Sequence, residues 1–162
     1  MTESKQVWWF GVDNSPGIVK FLAGFEAGLK SVSPDIELDI QFAGTFIDPD
    51  KGYEIATAFY EQGDDIVMHA ANKTGLGLFK AAIEKGKYAI GVDMDQSGEA
   101  PDNVICSALT NPGQSIYSDI INTVNGTWVG GTTYWGIDDG AQAAALTDLV
   151  PADVKSAAEK AE

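Results

Sequence analysis

Asp93-Met94-Asp95-Gln96 places two carboxylates and an amide within four residues, directly after an apolar run. Such a group suits sugar hydroxyls, a metal ion or a catalytic water. It suits equally a solvated loop whose acids cap the next element. His69-Ala70-Ala71-Asn72-Lys73-Thr74-Gly75-Leu76-Gly77 is a second candidate. Its small residues let a ligand approach the backbone, and a helix start there offers free N–H groups. Thr74 serves as well as a plain N-cap. Phe46, in Gly44-Thr45-Phe46-Ile47-Asp48-Pro49, can stack on a sugar or a base, or cover the edge of the core. His69 is the only histidine and Cys106 the only cysteine. A structural role is therefore expected for His69, a buried small apolar role for Cys106, and no zinc site and no cofactor for the chain. The GxGxxG and P-loop patterns and a nucleophile elbow are all missing.

These loops need strands and helices to hold them. Val7–Val12 reads as a buried strand, and Ile18, Phe21, Leu22, Phe25 and Leu29 then recur at helical spacing. Ile36–Phe42 alternates apolar and acidic residues, as an edge strand does. A helix follows Asp48-Pro49, with Tyr53, Ile55, Ala56, Phe59 and Tyr60 on one face. Ile66–Met68, Tyr88–Val92 and Val104–Ala108 are further strands. Helices are expected from Thr74 to Lys85 and around Ile116–Val124. A last strand is expected at Thr132–Trp135 and a polar helix after Pro151. Trp8, Trp9 and Trp135 are read as core. The βαβ order predicts an α/β fold, a parallel sheet with helices on both faces. In such a sheet ligands bind beyond the C-terminal ends of the strands. That rule selects Asp13–Gly17, Gly44–Asp48, His69–Gly75 and Asp93–Ser97.

The 162 residues suit one domain, with 44% hydrophobic and 21% charged residues. Ten lysines, no arginine and 24 acids give a net charge of −14. That field repels a phosphate backbone, so no nucleic-acid partner is expected. No apolar run approaches the ~18 residues of a membrane span. The first residues, Met1–Gln6, contain no apolar stretch, so no signal peptide is expected within this chain. A receiver domain would need an acid where His69-Ala70 stands and a lysine after the Val104–Ala108 strand, where Leu109-Thr110 stands. A flavodoxin would need a better phosphate loop than Asp13-Asn14-Ser15-Pro16-Gly17.

Four segments in register resemble one family. They are Gly24-Phe25-Glu26-Ala27-Gly28, Gly44–Gly52, His69–Gly77 and Ile90-Gly91-Val92-Asp93-Met94-Asp95-Gln96. Gly130–Ile137 and Val150–Val154 extend the likeness over nearly the whole chain. The pattern resembles the basic membrane protein (BMP) family of substrate-binding proteins, the purine nucleoside receptor lipoproteins of ABC transporters. The resemblance implies a flavodoxin-like lobe of a type I periplasmic binding protein, without bond chemistry. It implies residues 1–103 as the core of a second lobe, 104–131 as a segment crossing to a first lobe, and 132–162 as the return. Asp93 looks like the family's acid for ribose hydroxyls and Phe46 like its ring-packing aromatic. Phe21 is similar to a cleft-facing phenylalanine, although its helical spacing also fits core. Asn72 stands where glycine is usual and adds a hydrogen-bonding group. Asp95 completes the expected ligand-binding set. Thr110 replaces a frequent lysine. The implied partners are a purine nucleoside and an ABC permease, in a periplasmic or extracellular, membrane-anchored parent.

With half a cleft, weak or no binding by the chain alone is expected. The Ile116–Val124 helix then has to repack on its own lobe or pair with another copy, so a homodimer is possible. The other functions considered are a small α/β enzyme using Asp93 and His69, and a stand-alone sensor or interaction module.

Overall fold

The computed structural model describes residues 2–160. Met1, Ala161 and Glu162 of the expected single domain lie outside the described residues. Four βα steps, a short β4–β5 connection and a return strand build one six-stranded sheet. The strands are β1 (Gln6–Gly11), β2 (Glu37–Phe42), β3 (Ile66–Ala70), β4 (Tyr88–Asp93), β5 (Val104–Thr110) and β6 (Gln142–Leu146). Their spatial order is β2-β1-β3-β4-β5-β6. The helices are α1 (Pro16–Val32), α2 (Pro49–Glu61), α3 (Leu76–Lys85), α4 (Pro112–Val124) and α5 (Ala152–Glu159).

The apolar periodicity explains the layers. Phe10 and Val67 on one face of the sheet meet Ile55, Ala56, Phe59, Leu78, Phe79 and Ala82 of α2 and α3. Trp8 stacks on Phe59 with ring centroids 3.6 Å apart. On the other face Trp9 and Met68 receive Ile18, Phe21, Leu22 and Phe25 of α1, and Val150 closes the lower end beside Phe25 and Leu29. Trp9 is therefore core, Trp8 is half-buried, and Trp135 is half-buried outside any strand. The two faces are unequal. Helices α2 and α3 carry fully buried side chains, whereas α1 has none.

Glycine sets how closely α2 approaches its neighbours. A Cβ on Gly52 would lie 1.8 Å from the Thr74 carbonyl oxygen, and one on Gly77 would lie 2.0 Å from that of Pro49. Both contacts are closer than any side chain tolerates, so these helix residues are glycine for packing.

Two expectations are corrected. The last strand is not Thr132–Trp135, a stretch outside any strand in which Thr132, Thr133 and Tyr134 are exposed, Tyr134 by 84%. It is Gln142–Leu146, and it runs antiparallel to β5 with Cys106 opposite Leu146 and Thr110 opposite Gln142. The sheet is thus parallel through five strands and antiparallel at one edge. The reason is tertiary. Thr132-Thr133-Tyr134-Trp135 has the intrinsic preference for a strand but no partner, while Gln142-Ala143-Ala144-Ala145-Leu146 lacks the preference and finds β5. The excursion between β5 and β6 closes on itself. The Asn111 N–H donates to the Ala141 carbonyl at 2.8 Å, and the Asn111 side-chain amide to that of Gly140 at 3.3 Å.

At the lower end of the sheet Asp64 is buried beside Trp8, with one carboxylate oxygen lacking a hydrogen-bond partner. Burial, aided by Asp39 and Asp65, pushes its pKa up to about 6. The folded state then holds this proton more tightly than the unfolded chain. Asp64 therefore favours folding below about pH 4 relative to neutral pH, and that contribution is lost as pH rises through 6. Asp64→Asn should raise the melting temperature at pH 7.5 by roughly 2–4 °C. The gain should shrink toward zero near pH 4 in thermal scans across that range.

Candidate functional site

The loops at the C-terminal strand ends are joined by a small set of buried polar groups. Strands β3 and β4 pair only from Ile66/Tyr88 to Met68/Ile90. Beyond that point they part, and the Gln96 side chain enters the gap. Its Oε1 accepts from the Val92 N–H at 2.8 Å and from His69 Nε2 at 3.0 Å. The Gln96 N–H donates to Ser107 Oγ at 3.1 Å. Gly91 makes room: a Cβ there would lie 2.6 Å from Ser107 Oγ and 2.9 Å from Gln96.

His69 is 1% exposed, between Phe10 and Phe79. Burial drives its pKa down to about 4, with Gln96 opposing part of the shift. Nδ1 accepts from the Ala71 N–H at 3.4 Å, so the neutral ring carries its proton on Nε2. A Cβ on Gly75 would lie 1.9 Å from Nδ1, so the turn Asn72–Gly75 rests directly on the imidazole.

Thr74 ties in the third loop. Its hydroxyl donates to the Thr45 carbonyl at 2.9 Å and accepts from the Asp48 N–H at 3.0 Å. Its N–H donates to the Phe46 carbonyl at 3.2 Å. Thr74 is fully buried and is not an N-cap; α3 starts two residues later, at Leu76.

Asp93 ends β4 with φ +69° and is exposed, its Oδ1 accepting from Thr110 Oγ1 at 3.2 Å. Asn72 follows β3 with φ +50°, exposed, its Oδ1 accepting from the Lys73 N–H at 2.7 Å. Left-handed backbone costs ordinary residues ~1–2 kcal/mol, and it gathers where a site dictates the conformation. Phe46 is half-exposed on the loop that Thr74 pins. Asp95 is engaged elsewhere. It accepts from the Ser97 N–H at 2.9 Å, and hydrogen bonds from Ser97 hold its pKa below the usual carboxylate value. It borders a separate depression shared with Asp102 and Asp148.

Phe21 belongs to the opposite face of the sheet. It packs with Trp9 and Met68 and lines a cavity of about 630 Å³ between α1 and β5–β6, together with Lys20, Met68, Ala108 and Thr110. Thr110 is the common member, touching Asp93 and this cavity. The structure thus ties the Phe46 loop to the turn carrying Asn72, links Asp93 to Thr110, and places Asp95 and Phe21 apart. An enzyme pairing Asp93 with His69 finds no such pair, because His69 is enclosed and committed to Gln96. Among the described residues no three His, Cys, Asp or Glu side chains gather as a metal site. Cys106 is half-buried, and burial pushes its thiol up to about 11.

A family profile described as "ABC transporter substrate-binding protein PnrA-like" matches residues 1–153. The chain belongs to this family. It is 33% identical to the "ABC transporter nucleoside-binding protein BmpA" of Lactococcus lactis, over 99% of the chain and 50% of that protein. It is 44% identical to "Basic membrane protein A" of Borreliella afzelii, over 59% of the chain and 30% of that protein. The chain thus spans half or less of the length of these relatives. Among solved structures it superimposes with TM-score 0.86, at 20% identity, on a transcriptional activator of the comK gene from Bacillus halodurans, covering 99% of this chain and 56% of that one. A solute-binding protein of an ABC transporter system from Aeropyrum pernix matches with TM-score 0.74 at 24% identity, over 96% and 44%. These likenesses establish the solute-binding-protein fold.

Replacing Thr74 tests the tie between loops. Thr74→Val keeps the shape but leaves the Asp48 N–H and the Thr45 carbonyl without their partner. The expected loss is about 1–3 kcal/mol of stability by urea titration. The amide signals of residues 45–48 should broaden or shift while those of β4 stay in place.

Proposed function

We propose that this chain is the second lobe of a solute receptor serving an ABC import system, and that it takes a purine-nucleoside-like ligand at the C-terminal ends of β3 and β4. The observation that carries this reading is Asp93. It is exposed, left-handed in backbone and buttressed by Thr110, where an α/β sheet presents its ligand groups. Its carboxylate accepts hydrogen bonds from a sugar's vicinal hydroxyls. Phe46 offers an aromatic face to the base, and Asn72 a further hydrogen-bonding group. Phe21 and Asp95 are peripheral in this reading. The nucleoside named for the Lactococcus relative supports the ligand class. The family supports reversible binding without bond chemistry, an ABC permease as partner, and a periplasmic or extracellular, membrane-anchored parent.

In this reading residues 1–103 form the lobe core, 104–131 reach toward a first lobe and 132–162 return. The arm after β5 fits that division. Ile116, Tyr117, Ile120, Ile121 and Val124 of α4 are all exposed, as are Trp128, Val129 and Tyr134. A small ligand typically loses 70–90% of its surface on binding, which one lobe cannot supply. The chain alone should therefore bind in the millimolar range.

Titration of the isotope-labelled chain with adenosine should shift the amide signals of Asp93, Asn72 and Phe46, and Asp93→Ala should abolish the response. A wild-type chain without any such shift defeats the ligand assignment.

The exposed α4 stripe also favours a second reading, a homodimer in which two arms cover each other. Sedimentation velocity should then show concentration-dependent association of the wild type that Ile120→Asp removes. A monomer at every concentration leaves the arm to a separate lobe.

A further inference from the structure

We infer that Gln96, oriented by His69, is the positioning residue of this site: one side-chain oxygen spans the parted ends of β3 and β4 and fixes the backbone on which Asp93 stands. The inference rests on the reading of Asp93 as the ligand-facing acid.

The geometry allows little else for this glutamine. Both its contacts, the Val92 N–H and the Nε2–H of a neutral His69, require an acceptor, so the oxygen and not the amide nitrogen faces the gap. Val92 directly precedes Asp93. Its N–H stands where a longer β3–β4 ladder would have held it, but the ladder has ended at Met68 and Ile90. Gln96 takes the place of that missing strand partner. Ser107 on β5 fixes the main chain of Gln96, and the absence of a Cβ at Gly91 lets the side chain lie flat across β4. His69 cannot swing away, because Gly75, Phe10 and Phe79 enclose its ring. The same ring supports the turn bearing Asn72. One acceptor oxygen and one imidazole therefore set two of the three ligand-facing positions before any ligand arrives.

Leucine at position 96 fills similar space and accepts nothing. Glutamate keeps the acceptor and adds charge beside the imidazole. In the full chain without ligand, Gln96→Leu should speed hydrogen exchange of the Val92 amide by about tenfold or more. Amides of Val67 and Leu78, in the core, should keep their protection. With adenosine as probe, the response at Asp93 should disappear in Gln96→Leu at concentrations where the wild type responds. Gln96→Glu should restore slow exchange and the adenosine response, while His69 titrates at a visibly higher pH than in the wild type, a signature no remote stability effect produces. The strut is overturned if Val92 exchange is unchanged in Gln96→Leu, if Val67 and Leu78 accelerate to the same extent, or if Gln96→Glu restores neither property. A wild type without any adenosine response overturns the ligand reading instead, and the exchange comparison then decides the strut alone.

Discussion

Where β3 and β4 separate, hydrogen-bonding groups that a sheet would normally pair are left facing each other across a gap. Buried N–H groups without partners are costly, so something polar has to enter. Gln96 does so, and the consequences spread outward. The glutamine needs Gly91 beneath it and Ser107 beside it. The histidine opposite has to be neutral, and the apolar enclosure of Phe10 and Phe79 keeps it so. The turn above the imidazole has to be glycine at position 75. The adjacent Thr74 is then placed to pin the loop after β2. The upper end of the lobe is one polar assembly resting on an apolar one. The gap proposed to face a ligand and the group that fills its base arise from the same short β3–β4 ladder.

The sheet's two faces carry different burdens. On the α2–α3 face, close helix contact through Gly52 and Gly77 and full burial of Phe59 and Leu78 supply the firm packing that cores of this size rely on. On the α1 face the helix is only half-buried and a cavity remains beside it. Firm packing is thus concentrated on one side of the sheet. The apolar side chains of α4 and of the segment around Trp128 remain exposed, which is the feature behind the proposed contact with a first lobe or a second copy.

Much of this was legible in the sequence. The strands β1 to β5 and helices α1 to α3 follow from apolar spacing, because their apolar faces pack in the core; the spacing of α4 is equally regular, yet its apolar stripe stays exposed. The place of Asp93 directly after a strand marks it without any likeness to a family. The return strand was not legible. Ala143, Ala144 and Ala145 have no preference for a strand and acquire one from β5, while Thr132–Trp135 has the preference and no neighbour. Thr74 looked like a helix cap because local spacing cannot reveal a bond to a loop 29 residues away. Gln96 reads from the sequence as a polar loop group that could meet a ligand or stay solvated, and its bond to His69 is hidden for the same kind of reason. Its task depends on where two strands stop pairing, which spacing along the chain does not show. Asp95 accepts from the Ser97 N–H, and Phe21 lines a cavity that reaches Thr110; neither contact shows in the spacing of the sequence.

The antiparallel return of β6 has one more consequence. Chain leaving β5 at Asn111 comes back at Ala141 to within a hydrogen bond of its departure point. The intervening stretch is topologically a detour, and the sheet's register does not depend on the path taken. A fold built this way can exchange, shorten or redesign its outlying arm over evolutionary time while its strands and strand-end loops stay as they are. Swapping what the arm greets requires no renegotiation of the ground it leaves from.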